Sequence, residues 1–192
     1  MKTAEFIKIR ESLKKELDEK RYEHTLGVSF TAAAMAMKYG VPIKSAQLAG
    51  LLHDCAKCLT GKQKLSICKK NDIPVSEFEN NNPDMLHGKV GAFIAATQYG
   101  VEDEDILNAI TYHTTGRPGM SKLEKIIYIA DYIEPGRKPL PDLDAIRNEA
   151  FSDLDGCLIH LLRSSLDYLH ESGRPIDDMT EKTYKYYIEE NI

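Results

Sequence analysis

The sequence predicts an all-α fold, a compact bundle of helices without a β-sheet. Apolar residues recur at helical spacing along most of the chain, and no segment alternates convincingly between apolar and polar residues. Thr60, Ser76 and Ser121 each precede a Gln or Glu by three residues, which is the capping-box pattern that opens a helix. We therefore expect helices throughout the chain, joined by loops.

The first half of the chain contains a series of expected helices. Ile9, Leu13 and Leu17 are spaced four residues apart and give the first helix its apolar stripe. Gly40, followed closely by Pro42, ends the second helix. The helices expected here cover residues 6–17, 21–39, 43–54 and 62–71 and a short segment after Ser76, and residues 80–84 form a loop.

The second half of the chain continues the same pattern. Ile106 and Ile110 share one side of an expected helix, and two glycines and a proline within residues 114–120 require a loop. Pro135 ends the helix that the cap at Ser121 opens. The helices expected here cover residues 86–99 and 103–113, the segment between Ser121 and Pro135, and residues 142–151, 153–171 and 181–190.

The length of 192 residues suits one domain with a sizeable core. We expect a single domain over residues 1–192, with a core over about residues 18–137. C-terminal helices within residues 142–192 are expected to pack on that core. The sequence leaves open whether these last helices complete a pocket or form a dimer interface, so a homodimer is one of the assemblies to consider.

Composition and charge limit the functional classes. The chain is 42% hydrophobic and 29% charged, which is typical of a soluble globular protein. A net charge of −5 argues against binding along nucleic acid, because such binding uses many Lys and Arg contacts with phosphates. The chain shows neither an apolar run of bilayer length nor a signal peptide, so we expect a cytoplasmic protein without a membrane partner.

The four cysteines are expected to remain thiols in a reducing compartment. Cys55 and Cys58 form a C-x-x-C motif, which can indicate a redox pair or half of a zinc site. The sequence has no second C-x-x-C, and no βαβ pattern surrounds the first. We therefore interpret these residues as ordinary thiols.

Polar residues interrupt the apolar pattern at a few positions. His53 and Asp54 directly follow an apolar stretch, Asp131 lies within a strongly apolar helix, and His24 lies next to small and apolar residues. Burying an imidazole or a carboxylate is costly unless it is paired or bound to a metal. Imidazole nitrogen and carboxylate oxygen suit Fe, Mn, Co or Zn. The alternative for Asp131 is an ion pair with a nearby lysine or arginine.

The order of His24, the pair His53–Asp54 and Asp131 resembles the metal signature of the HD-domain phosphohydrolase superfamily. The local sequences are similar to its YqeK branch, which is associated with symmetrical hydrolysis of bis-nucleoside tetraphosphates. The fragments that carry the resemblance are His24-Thr25-Leu26-Gly27-Val28, His53-Asp54-Cys55-Ala56-Lys57, Leu86-His87-Gly88, Tyr112-His113-Thr114-Thr115-Gly116 and Ala130-Asp131-Tyr132-Ile133-Glu134-Pro135-Gly136-Arg137.

The resemblance implies metal ligands at His24, His53, Asp54 and Asp131. Catalytic roles would fall to Asp54 and Asp131, which can position or deprotonate a water, and to Lys57, which can meet a phosphate as a point charge. The residues that the resemblance places on the nucleotide or its phosphates are Arg21, Asp54, Lys57, His87, His113, Thr114 and Arg137.

His87 and His113 have two interpretations. They can donate hydrogen bonds to phosphates beside a single metal ion, which is the arrangement that we favour. The alternative is that they ligate a second metal ion bridged by Asp54.

The resemblance implies that the protein hydrolyses diadenosine tetraphosphate to two ADP, with a nucleotide as its partner and a transition metal as its cofactor. We expect iron, with manganese, cobalt and zinc as alternatives. Another nucleotide is the first rival substrate, either a nucleoside mono- or triphosphate or a cyclic nucleotide. A non-catalytic nucleotide sensor and a structural helical module are the rivals from other classes.

Overall fold

The computed structural model describes residues 3–138 and 142–190. These residues contain eleven α-helices and a short 3₁₀ helix, joined by loops. No β-strand occurs within these two ranges, so the all-α prediction is confirmed. Residues 1, 2, 139–141, 191 and 192 lie outside the described residues. Some of these residues belong to the expected single domain over residues 1–192 and to the C-terminal segment 142–192. The single domain stays a prediction.

The α-helices follow one another in chain order, and the 3₁₀ helix lies between α5 and α6. They are α1 (Thr3–Glu16), α2 (Glu19–Tyr39), α3 (Ile43–Leu52), α4 (Gly61–Lys70), α5 (Glu77–Asn81), the 3₁₀ helix (Pro83–Leu86), α6 (His87–Thr97), α7 (Glu104–Thr111), α8 (Lys122–Ile133), α9 (Leu143–Ala150), α10 (Leu154–Glu171) and α11 (Asp178–Glu190).

Three predicted helix caps and one predicted helix stop are present at the expected residues. Thr60, Ser76 and Ser121 each form a reciprocal capping box at the start of α4, α5 and α8. Gly40 ends α2 with φ of 71°, a left-handed conformation that glycine adopts without steric cost.

Several helix bounds differ from the prediction. The helix α3 ends at Leu52 rather than residue 54, α7 ends at Thr111 rather than residue 113, and α6 begins at His87 behind the 3₁₀ helix. The last helix, α11, begins at Asp178 rather than residue 181. The first three differences place His53, His87 and His113 at helix ends or just beyond them.

The helices α2 and α3 approach each other closely at two small residues. A Cβ atom added to Gly50 of α3 would lie 2.9 Å from the Cα atom of Ser29 of α2. The hydroxyl of Ser29 donates a hydrogen bond of 2.8 Å to the carbonyl of Gln47 in α3. This close contact fixes the two helices that carry His24 and His53 relative to each other.

The helix α8 lies in the apolar core and packs against α2, α3, α7 and α10. Ile126, Ile127 and Ile129 of this helix are fully buried. Because α8 is strongly buried among these helices, its residue Asp131 faces other helices that carry polar residues.

The C-terminal helix α11 supports the loop that follows α7. Tyr187 of α11 is buried, and its hydroxyl accepts a hydrogen bond of 2.7 Å from the backbone N–H of Met120. The buried Thr183 lies beside Gly116 of the same loop. The helix α11 therefore contacts the loop that follows α7, and the packing of the whole segment 142–192 on the core stays a prediction.

Within the described ranges, none of the helices has the combination of length and apolar character that crossing a lipid bilayer requires.

Replacing Gly50 with alanine should lower the free energy of unfolding. Alanine favours a helix by about 1 kcal/mol over glycine, but its Cβ would press on the backbone of Ser29, and overpacking of this kind typically costs about 1–3 kcal/mol. Chemical denaturation measures the difference, with Lys44→Ala on the exposed side of α3 as the control. A Gly50→Ala protein as stable as the wild type would contradict the close approach.

Candidate active site

Four histidine rings from different parts of the chain form a continuous row. The ring centroids of His24 and His53 are 5.3 Å apart, those of His53 and His113 are 5.0 Å apart, and those of His113 and His87 are 4.8 Å apart. The rings come from α2, the end of α3, the turn after α7 and the start of α6. The tertiary structure therefore brings together the four histidines that the sequence singles out.

Three of these rings are oriented by backbone carbonyls. The Nδ1 atoms of His53, His87 and His113 lie 2.7, 2.6 and 2.7 Å from the carbonyl oxygen three residues earlier in the chain. Because a carbonyl can only accept, each Nδ1 carries a hydrogen, and each Nε2 has a lone pair when its ring is neutral. This arrangement leaves Nε2 of a neutral imidazole available to bind a metal ion.

The fourth ring, that of His24, is oriented by a carboxylate. Its Nδ1 atom lies 3.1 Å from Oε1 of Glu134, which follows α8 and is buried. Glu134 was not among the predicted site residues. Gly27 was the signal available in the sequence, because a glycine on the helix of His24 leaves space for a neighbour, and the side chain of Glu134 fills that space.

Asp54 lies at the centre of the row. Its Oδ1 atom is 3.4 Å from Nε2 of His87 and 3.5 Å from Nε2 of His113. Its Oδ2 atom is 3.5 Å from Nε2 of His53 and accepts a hydrogen bond of 2.6 Å from the Arg21 guanidinium. Asp54 can therefore face ions or substrate groups at either end of the row.

Asp131 lies at the other end of the row, beside His24. Its Oδ1 atom is 3.0 Å from Nε2 of His24 and 3.9 Å from Nε2 of His53. Arg137 is 3.9 Å from the same oxygen, whereas Lys125 pairs with an aspartate elsewhere. Of the two ion pairs considered for Asp131, the pair with Arg137 is therefore present and the pair with Lys125 is not.

Several buried polar atoms of the site have no hydrogen-bond partner among the described residues. They include Nε2 of His24, Nε2 of His53 and Oδ1 of Asp54. Such atoms are costly to bury, and a bound cation would satisfy them.

Two sets of ligand atoms lie within 4.8 Å of one another, so that each set could hold a metal ion. The sets are His24, His53 and Asp131, and His53, Asp54 and His113. The four predicted metal ligands, His24, His53, Asp54 and Asp131, are divided between these two sets, which share His53, and His113 belongs to the second set.

The Nε2 atoms of His87 and His113 lie close together, and a positive charge is needed to offset the repulsion between their lone pairs. Their Nε2 atoms are 3.0 Å apart, and both carry lone pairs because both Nδ1 atoms donate to carbonyls. Lys57 places its ammonium 3.1 Å from Nε2 of His87, and the Thr114 hydroxyl lies 3.2 Å from the same atom. A cation or a shared proton between the two rings would relieve the repulsion.

Positively charged side chains surround the site. Arg21 bonds to Asp54, Lys57 contacts His87, and Arg137 lies over Asp131. A cleft of about 880 Å³ opens beside these residues, lined in part by Arg21, His24 and Arg137. The predicted phosphate-binding residues are therefore near the candidate metal ligands.

Burial and neighbouring charges set the protonation states of the site. Burial opposes ionisation of Asp54, but the adjacent His53 and His113 outweigh it and hold the pKa of Asp54 well below its usual value. Burial, with His113 and Lys57, holds the pKa of His87 well below its usual value. At neutral pH Asp54 is charged and His87 is neutral, which are the states that bind metal.

The thiols beside the site take no part in it. Cys55 is buried, and burial raises its pKa to about 12, so that it stays protonated at neutral pH. Cys58 is exposed and lies 3.5 Å from the carboxylate of Asp18. No cysteine of the described residues belongs to a set that could hold a metal.

Comparisons with known proteins agree with this geometry. The family model of the HD domain matches residues 21–136. A symmetrical bis(5'-nucleosyl)-tetraphosphatase of Bacillus subtilis (strain 168) is 40% identical over 176 residues, covering 92% of this chain and 94% of that protein. A protein with the same name from Staphylococcus aureus is 36% identical over 182 residues, covering 94% of this chain and 93% of that protein.

A solved structure is similar over nearly the whole chain. It is described as a predicted HD superfamily hydrolase involved in NAD metabolism from Clostridium acetobutylicum. It matches with a TM-score of 0.93 and 41% identity, covering 96% of this chain and 97% of that one.

Substitution of His53 with alanine should weaken metal binding by more than about tenfold, since removal even of a group that orients a ligand costs about 10–100-fold. Elemental analysis after loading with Mn²⁺ and desalting measures this and counts ions per chain. His160→Ala is the matched control, because His160 is partly exposed and pairs with Glu149 away from the site. Equal metal content in the two variants would contradict a metal site at His53.

Proposed function

The chain belongs to the HD domain family, and we propose that it hydrolyses diadenosine tetraphosphate symmetrically to two ADP. The observation that carries this proposal is the presence of two adjoining sets of imidazole and carboxylate atoms, which share His53, beside a cleft lined in part by Arg21 and Arg137. Relatives of nearly the same length are named for symmetrical cleavage of bis-nucleosyl tetraphosphates, which supports the choice of substrate.

His24, His53, Asp54 and Asp131 would hold one divalent ion. Two nitrogen and two oxygen ligands leave room for water and phosphate and suit iron, with manganese, cobalt and zinc as alternatives. When bound, such an ion lowers the pKa of a water molecule toward neutrality and polarises a phosphoryl oxygen. The free thiols of the described residues suit a reducing cytoplasm as the location of this activity.

The carboxylates orient the attacking water. Asp131 is close to His24 at one end of the site, and Asp54 reaches both ends through its two oxygens. Either carboxylate can accept a hydrogen bond from a water and take its proton as the water oxygen bonds to phosphorus. The bond that breaks joins a central phosphorus to the bridging oxygen, so that one ADP carries the water oxygen and the other keeps the bridging oxygen.

The cationic side chains hold the tetraphosphate. Arg21 and Arg137 present guanidinium groups that can bind phosphate oxygens in pairs. The ammonium of Lys57 lies 4.0 Å from Oδ1 of Asp54, where it would offset the charge that develops on the phosphoryl oxygens. Binding both halves of the substrate in one orientation is what would direct water to the central anhydride.

For His87 and His113 we retain the single-ion arrangement, in which both face phosphates. In that case a shared proton lies between their Nε2 atoms and can be donated to a phosphate oxygen. The alternative is a second ion held by these two histidines and bridged by Asp54. The two arrangements differ in the number of ions per chain that elemental analysis counts.

The rival functions predict different products. Another HD phosphohydrolase activity would release phosphate from a mononucleotide or open a cyclic nucleotide. A nucleotide sensor would be stabilised by the dinucleotide without turnover, and a structural module would bind no metal. The presence of all four predicted ligand residues in the two candidate metal sets favours a working hydrolase over a sensor and over a structural module.

Incubation with diadenosine tetraphosphate and Mn²⁺ or Fe²⁺ should yield ADP as the sole nucleotide product, because symmetrical attack gives two equal halves. Anion-exchange chromatography separates ADP from AMP and ATP, and ¹⁸O-labelled water should label one ADP of each pair. A panel of mononucleotides is the control. Appearance of AMP and ATP, or turnover only of a mononucleotide, would refute the proposed reaction.

Replacing Lys57 with alanine should lower kcat/KM by roughly 10²-fold, the usual loss when a charge-stabilising group is removed. Steady-state kinetics with the dinucleotide measures this change. Lys62→Ala is the matched control, because Lys62 is exposed on α4. Similar kinetics for the Lys57 and Lys62 variants would show that Lys57 does not act on the substrate.

A further inference from the structure

The carboxylate of Glu134 lies directly behind His24, on the side away from the candidate metal ligands. Oε1 of Glu134 is 3.1 Å from Nδ1 of His24, and Oε2 accepts a hydrogen bond of 2.5 Å from the backbone N–H of Gly136. Glu134 is 2% exposed, so water does not compete for these contacts. Both oxygens of the carboxylate therefore have fixed partners.

The backbone of Glu134 is held as firmly as its side chain. Its N–H donates to Ala130 at 3.1 Å, and its carbonyl accepts from the N–H of Arg137 at 3.0 Å. Arg147 of α9 donates to the carbonyls of Ile133 and Glu134 at 3.0 and 3.1 Å. These are carbonyls that the end of α8 leaves open, so α9 fixes the position from which the carboxylate extends.

Gly27 provides the space that the carboxylate occupies. It lies on α2, about one turn beyond His24, and a Cβ atom added there would collide with Oε2 and lie 3.2 Å from Cδ of Glu134. The helix therefore supplies both the ring that Glu134 contacts and the gap into which Glu134 fits.

His24 differs from the other three imidazoles in the charge of its acceptor. Those rings donate to neutral carbonyls, whereas His24 faces a carboxylate. A carboxylate behind a metal-binding histidine fixes the ring and its tautomer and makes the ligating nitrogen more basic. Nε2 of His24 lies on the other edge of the ring, 3.0 Å from Oδ1 of Asp131, so a hydrogen on Nδ1 leaves the Nε2 lone pair and this carboxylate available to bind a cation.

We infer that Glu134 is a positioning residue, which keeps the proton of His24 on Nδ1 and turns its Nε2 toward a divalent cation. This inference rests on the metal site of the proposed function but not on its substrate. Gly27 and Arg147 support this role, because Gly27 leaves room for the carboxylate and Arg147 holds the backbone of Glu134.

The test compares Glu134→Ala, Glu134→Gln and Gly27→Ala with the wild type in the full chain. Glu124→Ala is the matched control, because Glu124 is about as buried as Glu134 but bonds to Arg117 and Ser121 rather than to a histidine. The Mn²⁺ dissociation constant is measured by competition with a chelator. Nitrogen-15 spectra of the metal-free proteins report the tautomer of His24.

Glu134→Ala should weaken Mn²⁺ binding by about 10–100-fold, the usual effect of removing a group that orients a ligand. Glu134→Gln should lose less, because its amide oxygen can still accept from His24. Gly27→Ala should match Glu134→Ala by displacing the carboxylate, and the double variant should lose no more than either alone. The spectrum of Glu134→Ala should show His24 protonated partly on Nε2.

The control separates positioning from simple support of the fold. Glu124→Ala should be less stable than the wild type and yet bind Mn²⁺ with unchanged affinity. If Glu134→Ala keeps both the affinity and the His24 tautomer of the wild type, the inference is overturned. If affinity depends on Glu134 but the wild type releases no ADP from the dinucleotide, the proposed function fails and this inference stands.

Discussion

The concentration of hydrogen-bond acceptors at the row of histidines and their two aspartates, several of them buried without a partner among the described residues, is the constraint on which the rest of the structure depends. Each imidazole uses Nδ1 to bond outward, so that the inward Nε2 atoms and the carboxylate oxygens meet with lone pairs and negative charge. Burial makes such an arrangement expensive unless a cation occupies it. A site of this kind is suited to bind a metal ion tightly.

Helix ends provide the means of orienting the rings. The last carbonyls of a helix have no partner within it, and His53 and His113 use such carbonyls three residues earlier, while His87 uses one at the end of the 3₁₀ helix. The same bonds satisfy the backbone and fix the ligands. Because the rings are held by backbone, their positions follow from where the helices stop and how the helices pack.

The close contacts of α2 affect both the stability of the protein and its candidate site. Gly50 allows α3 to approach it, and Gly27 admits the carboxylate of Glu134. Both contacts place charged or polar groups at the candidate site, where they add little to the stability of the metal-free protein. The surrounding core, which includes the buried α8, provides the free energy that holds this arrangement together.

The sequence alone determined the all-α class, the capping boxes and the spacing of His24, His53, Asp54 and Asp131, because these depend on neighbours within a few residues or on a resemblance carried by short fragments. The tertiary structure decided what depends on distant contacts. Glu134 meets His24 across 110 positions of the chain, and His87 reaches His113 across 26. No local pattern encodes those distances, because the packing of α8 and α6 on the core sets them.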